Sequence, residues 1–358
     1  MNKFLTKLIL AFFLSISTLI TFGCKTDKKD LLIANQKYES KPLNGININI
    51  DSLYYPGLMS RIDSILVLQD FKTKKPFHFI NLNNHKYLKS FGTRGKGPGE
   101  FIGLNTINSF DKKLWAYDIT LSKYVSFDLD SILKFGRSKY RYSEEIIFTN
   151  DARKNYCPLF INDTLLSSLT FSNSKHRILL SNKADGQVSN ELFDMIEPVE
   201  KTTPQRLHNE SYHGVMEKHP LKNLLFIGSR YADLIEIYNL NSNKGIRIKT
   251  HDNFTPEFRI DNSQGFPSIV YNGQWKHGYL DISVTENVVF TLFSGRTTGD
   301  YANRNSLGNT VLLYDWDGNY IASYSTDIDG HTIEAINDEE FVLCGVHNGI
   351  SYLKRYKI

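Results

Sequence analysis

Six times between residues 63 and 342 a turn centred on Asp or Asn runs straight into a short apolar strand. The first three are Asp63-Ser64-Ile65-Leu66-Val67, Asp111-Lys112-Lys113-Leu114-Trp115 and Asn162-Asp163-Thr164-Leu165-Leu166. The others are Lys222-Asn223-Leu224-Leu225-Phe226, Glu286-Asn287-Val288-Val289-Phe290 and Asp338-Glu339-Glu340-Phe341-Val342. With Asp63, Asp111, Asp163, Asn223, Asn287 and Asp338 as anchors, the steps are 48, 52, 60, 64 and 51 residues. A period of that size marks a repeat architecture, in which one unit cannot bury its apolar faces alone.

A second strand follows each anchor. Phe77–Leu82, Tyr124–Leu129, Arg177–Leu180, Leu234–Leu240, Thr310–Asp315 and Ser351–Tyr356 have this place. After the fifth, Asp317-Gly318 supplies hairpin chemistry, and Tyr320–Tyr324 reads as a further strand. Six antiparallel meanders of about 50 residues predict an all-β, six-bladed propeller with four-stranded blades. An irregular pair of β-sandwiches also repeats its turns, but matches the paired anchors less well. The alternating run Ile46-Asn47-Ile48-Asn49-Ile50 has no unit of its own. It is expected to pair with Ser351–Tyr356 and close the ring with strands from both ends.

Residue usage agrees. The chain has 23 Phe and 20 Tyr, residues that suit a pleated, half-buried surface. The net charge is +4, with signs interspersed, so there is no clustered basic face of the kind nucleic acid requires.

The first residues read as a targeting segment. Lys3 and Lys7 precede an apolar run from Leu8 to Phe22, followed by Gly23-Cys24 and then polar text. A Cys directly after the cut resembles a bacterial lipobox, with Cys24 as the lipidated N-terminus. Residues 1–23 are therefore expected to be a signal peptide, 24–44 a lipidated tether, and 45–358 the propeller. That predicts a soluble domain in the cell envelope, outside the cytoplasm, held by lipid to a membrane, the outer membrane being the expected one.

The segment Phe91-Gly92-Thr93-Arg94-Gly95-Lys96-Gly97-Pro98-Gly99-Glu100-Phe101 resembles the Gly-Pro-Gly-Glu-Phe signature of six-bladed β-propeller lipoproteins of the TolB-like and NHL-like type. The resemblance implies a fold and an envelope location, and little chemistry. The loop itself is no phosphate cradle, because Pro98 stands where a Walker lysine is required. A crossover between blades, with glycines at positive φ, accounts for it.

Other motifs read as structure. His208, His213 and His219, with Glu210 and Glu217, lie close in sequence but without His-Glu-x-x-His spacing, and are expected on a solvated loop. Asp315–Asn319 and Asp327–Gly330 suggest calcium loops, yet their Gly is fourth, not sixth, and hairpin turns are expected at both. There is no Gly-x-Ser-x-Gly elbow. Cys157 and Cys344 are expected to be buried free thiols.

The reading that follows is a non-enzymatic binding or scaffold module for a protein, peptide or glycan, with no metal or cofactor and no catalytic residue assigned. The alternative is a propeller hydrolase or lyase of envelope substrates with a metal near the central channel. Three or more carboxylates or histidines converging on the channel would favour that alternative, and a lining of apolar and hydroxyl side chains would favour binding. Candidate ligand contacts are Arg94, Lys96 and Glu100 in the glycine-rich loop, and Tyr212, His213, Arg296, Tyr301 and Arg304 in the long polar stretches 197–220 and 295–309.

Overall fold

The computed structural model describes residues 31–33, 38–50, 53–134, 142–149, 155–196, 202–250, 252–271, 273–300, 307–347 and 350–358. Blade one is Pro56–Ile62, Ile65–Asp70, Phe77–Asn81 and Lys86–Phe91. Blade two is Leu104–Phe110, Lys113–Asp118, Lys123–Asp128 and Glu144–Ile147. Blade three is Tyr156–Asn162, Leu165–Leu169, His176–Asn182 and Val188–Asp194. Blade four is Gly214–Lys218, Leu224–Ser229, Leu234–Asn239 and Lys244–Lys249. Each is an antiparallel meander in sequence order.

Blades five and six share one long strand. Tyr279–Val284, Val289–Phe293 and Gly308–Tyr314 are completed by the first half of Tyr320–Asn337. Its second half is the inner strand of blade six, beside Glu340–His347 and Ile350–Lys357. The outer strand of blade six is Ile46–Asn47, with Lys354 opposite Asn47 and Arg355 opposite Ile46. The Ile48 N–H donates to the Leu353 carbonyl at 2.8 Å. The expected closure by strands from both ends is therefore present. The hairpin expected at Asp327–Gly330 is not: the backbone stays extended there, carrying the chain from blade five into blade six. Asp315–Asn319 does turn, with Gly318 at φ 87°.

Six inner strands touch in a ring, each against the next, and the sixth against the first. Six apolar cores fill the six seams. Phe77 and Phe79 meet Leu114 and Phe127 between blades one and two. Trp115 and Tyr124 meet Phe160 and Leu166 at the next seam, and Leu169 and Ile178 meet Leu225 and Ile227 at the third. Phe226 and Ile235 meet Tyr279 and Leu312, and Leu280 and Phe290 meet Phe341 and Leu343. Leu66 and Leu68 meet Val342 and Leu353 at the closing seam. Each such side chain contributes roughly 1.5–3 kcal/mol by leaving water.

This geometry explains the sequence pattern. Second and third strands are covered on both faces, so Ile65–Asp70 and Leu234–Asn239 are buried almost throughout and mostly apolar. Outer strands face water, and Lys86–Phe91 and Lys244–Lys249 are correspondingly polar. Within the expected tether, Leu31–Ile33 pairs in parallel with Lys244–Lys249, and Lys41–Leu43 with Tyr324–Thr326. Leu31–Ile33 and Lys41–Leu43 thus lie at the rims of blades four and five. Cys157 and Cys344 are buried free thiols. Among the described residues no helix is long and apolar enough to cross a membrane. Cys24 and the signal segment lie outside the described residues.

Candidate functional site

In a four-stranded meander the connections leave alternately at opposite ends of the strands. All six anchors, Asp63, Asp111, Asp163, Asn223, Asn287 and Asp338, lie between a first and a second strand. They share one face of the disc, the turn face. The long connections, between residues 91 and 104, 194 and 214, 249 and 279, and 293 and 308, leave at the other end. Arg94, Lys96, Glu100, Tyr212, His213 and Arg296 all belong to that loop face. Tyr301 and Arg304 lie outside the described residues.

The glycine-rich loop is the crossover from blade one to blade two. Gly92, Gly95 and Gly99 adopt φ of 94°, 157° and 69°. Its polar groups hold its own shape. Arg94 donates from Nε to the Thr73 carbonyl and from Nη2 to those of Asp70 and Phe71. Glu100 Oε2 accepts the Gly97 N–H at 3.0 Å. Arg94 and Glu100 therefore brace the loop, while Lys96 is exposed at its tip.

The expected solvated histidine loop is corrected. Residues 205–211 form a helix, with Arg206 and Glu210 paired one turn apart at 3.0 Å, and Gly214–Lys218 is the inner strand of blade four. His208 is buried and its Nε2 meets the Ile196 carbonyl. His219 is buried on the opposite face, where its Nδ1 accepts the Leu221 and Lys222 N–H groups. Helix and strand pull the three histidines apart. Tyr212 is core, packed with Met195, Ala232 and Leu234. Burial raises its hydroxyl pKa to about 12. Arg296 is tied to Asp329 at 2.7 Å and to Asn309.

His213 has a different setting. It belongs to a belt of rings crossing from blade three to blade five on the loop face. Tyr156 stacks on Phe171 at 4.9 Å, and both meet the edge of His213, at 5.2 and 5.6 Å. His213 packs on Tyr231 at 4.7 Å, and Tyr231 continues to Tyr271, Trp275 and His277. Tyr156, Phe171, His213 and Tyr231 are half-buried, so the belt meets solvent. Burial, reinforced by the Arg230 charge, lowers His213 to about 3 and His277 to about 4. Both imidazoles are neutral at physiological pH. Arg230 is the cation of this region, with Nη2 donating to the Leu280 carbonyl at 2.9 Å.

Below the belt the inner strands put three carboxyls on adjacent blades: Glu217 in blade four, Asp281 in blade five and Glu334 in blade six. Each is half-buried at the channel wall. Burial raises Asp281 to about 6. Burial, with the neighbouring Asp281 charge, raises Glu334 to about 8 against the pull of Arg61. Glu217 is pushed well up by burial and by both other acids. Asp281 also bridges blades, accepting the Thr332 hydroxyl at 2.5 Å and the Ile333 N–H at 2.8 Å. Among the described residues no three His, Cys, Asp or Glu side chains are grouped closely enough to hold a metal ion.

The turn face carries a pocket of about 190 Å³ between blades two and three. Its Glu144 is already clamped by Lys113 and Lys183, each at 2.6 Å. It is smaller than the roughly 300–1,000 Å³ typical of small-molecule sites.

A closed ring of six four-stranded blades, with its long connections gathered on one face, defines a six-bladed β-propeller. The chain matches the TolB-like 6-blade propeller-like family over residues 39–340 and belongs to that family. Its structure is similar to that of a Bacteroides fragilis protein whose name assumes export, at 12% identity and a TM-score of 0.55, covering 91% of this chain and 98% of that one. It is also similar to a DUF4221 family member from Bacteroides vulgatus, at 9% identity and a TM-score of 0.57, covering 90% and 98%. No curated protein matches it.

Of the candidates drawn from the sequence, His213 lies in the belt; Tyr156, Tyr231 and Arg230 were not among them. Tyr156 and Arg230 flank apolar strands as single residues, with no spacing that marks them. Only the ring closure brings them near one axis.

Proposed function

We propose that this protein is an envelope lipoprotein, lipidated at Cys24, whose propeller binds an envelope protein, peptide or glycan on its loop face. The observation that carries the reading is the aromatic belt Tyr156–Phe171–His213–Tyr231 beside Arg230, on the face where the long connections gather. Neutral rings around a cation suit stacking and polar recognition, and loops on a rigid scaffold are where recognition resides. The fold shared with a protein whose name assumes export supports the extracytoplasmic setting.

The three axial carboxyls favour a second reading. Glu334, protonated at neutral pH, has the properties of a general acid, and Asp281 those of its ionised neighbour. A hydrolase or lyase of envelope glycans could use such a pair. Binding ranks first because Asp281 is engaged in holding blade six, and Glu334 lies 4.0 Å from Arg61 at the closing seam.

One experiment separates the two. The purified domain, as wild type, Tyr231→Ala and Glu334→Gln, is titrated with envelope peptides and glycan fragments, and each mixture is analysed for products. Binding is expected in wild type and Glu334→Gln, weakened about tenfold or more in Tyr231→Ala, with the ligand recovered intact. Turnover abolished by Glu334→Gln would establish the enzyme instead.

A further inference from the structure

Away from the channel, between blades three and four, two arginines converge on one glutamate. Arg177 and Glu236 are both fully buried. Arg177 Nε donates to Glu236 Oε2 at 2.7 Å. Arg247 Nε donates to the other oxygen, Oε1, at 3.1 Å, and the Tyr238 hydroxyl donates to the same Oε1 at 2.6 Å. Arg247 Nη2 is occupied by the Tyr238 hydroxyl and the Asp194 carbonyl. Both carboxylate oxygens are therefore filled.

The charge does not balance. Burial alone would raise the Glu236 pKa, but Arg177 and Arg247 hold it below the ordinary range, so the carboxylate is ionised. The phenols of Tyr212 and Tyr238 are pushed up by burial and by Glu236, so they stay neutral. Two guanidinium groups against one carboxylate leave one positive charge. The donors left over are Arg177 Nη1 and Nη2, which are buried and meet no acceptor among the described residues. Those two nitrogens carry four N–H bonds in a planar fork, which cannot be deprotonated. A buried cluster with a net charge and unfilled donors is costly for a fold to carry.

Water could accept from the fork but would leave the charge uncompensated. A small monoanion does both. Arg177 is fully buried, which favours a small ion over a bulky carboxylate or phosphate ester. We propose that Arg177 Nη1 and Nη2 hold a halide-sized inorganic monoanion, chloride in an ordinary medium, sealed between blades three and four. The ion completes the Arg177–Glu236–Arg247 cluster and locks the third seam of the ring.

The test uses the whole mature chain. Crystals grown in bromide are expected to show an anomalous peak within hydrogen-bond distance of Arg177 Nη1 or Nη2. Wild-type protein is expected to melt several degrees higher in chloride than in gluconate of equal ionic strength. Arg177→Met, which removes both charge and donors, should melt equally in the two salts. If that variant does not fold, the wild-type bromide map decides alone. Water without anomalous signal at Arg177, or a wild type indifferent to the anion, would overturn the proposal.

Discussion

Arg61 and Glu334 meet across the seam where the ring closes. Arg61 is on the inner strand of blade one and Glu334 on that of blade six, with Nε 4.0 Å from the carboxylate. Arg61 Nε also donates to the Ala335 carbonyl at 3.1 Å. The pair joins the two ends of the repeat inside the channel, where burial has already raised the Glu334 pKa to about 8.

That shift has a sign. A carboxyl whose folded pKa lies above its unfolded value binds its proton more tightly when folded. Its contribution is full below the unfolded value, near pH 4.5, and is lost as pH rises towards 8. Asp281, raised to about 6, acts in the same direction over a narrower range. Glu334→Gln should therefore gain stability relative to wild type as pH rises from 5 to 8, measured by thermal melts across that interval. Parallel pH profiles for the two proteins would contradict it.

A second pair shows how the blades are built. Asp70 and Asp118 end the second strands of blades one and two, 48 residues apart, both fully buried. Asp118 accepts the Ile102 and Gly103 N–H groups on one oxygen and Leu121 N–H on the other. Asp70 does the same for Tyr54, Tyr55 and Lys72. Each carboxylate fastens the entry to its inner strand. Asp118→Ala leaves three donors without an acceptor and should cost about 3 kcal/mol. The exposed Asp163→Ala should stay within about 0.5 kcal/mol. Urea titrations of both variants compare the two directly.

How much of this was legible follows from where each strand sits. Second and third strands are apolar on both faces, so Ile65–Asp70, Leu224–Ser229 and Val289–Phe293 stand out in the text beside their Asp or Asn turns. Inner strands such as Gly214–Lys218 alternate core with channel, and Met216 beside Glu217 reads as loop until the ring exists. Outer strands such as Lys86–Phe91 are polar because water covers them. The repeat was visible, but each blade begins one strand before the anchor that announces it. The Asp70 and Asp118 brackets share the anchor step, so the sequence contained them. The aromatic belt had no such signal, since its members come from the start of one strand and four separate connections.

Closure by the early strand predicts a global effect from a short segment. Ile48 is buried with Met59, Leu66 and Val342 in the closing core. Ile48→Ala should cost about 2–5 kcal/mol. Deleting residues 45–51 should lower the melting temperature of the whole domain in one cooperative transition. A deletion protein that melts like its parent would show that the ring closes without this strand.

Lipidation at Cys24 predicts a change of compartment without a change of fold. Cys24→Ala should release the protein from the membrane fraction or leave its signal unprocessed, read by fractionation and acyl labelling. Normal membrane retention with normal labelling would remove the anchor from the account.

The central claim is that one face of the disc does the binding. A photo-crosslinking residue placed at Lys96, exposed on the loop face, and another at Asp185, exposed on the turn face, test it in the living cell. The account predicts a discrete crosslinked species from position 96, lost when Tyr231→Ala is added, and none from position 185. A discrete species from position 185 alone would place the binding surface on the opposite face and contradict it.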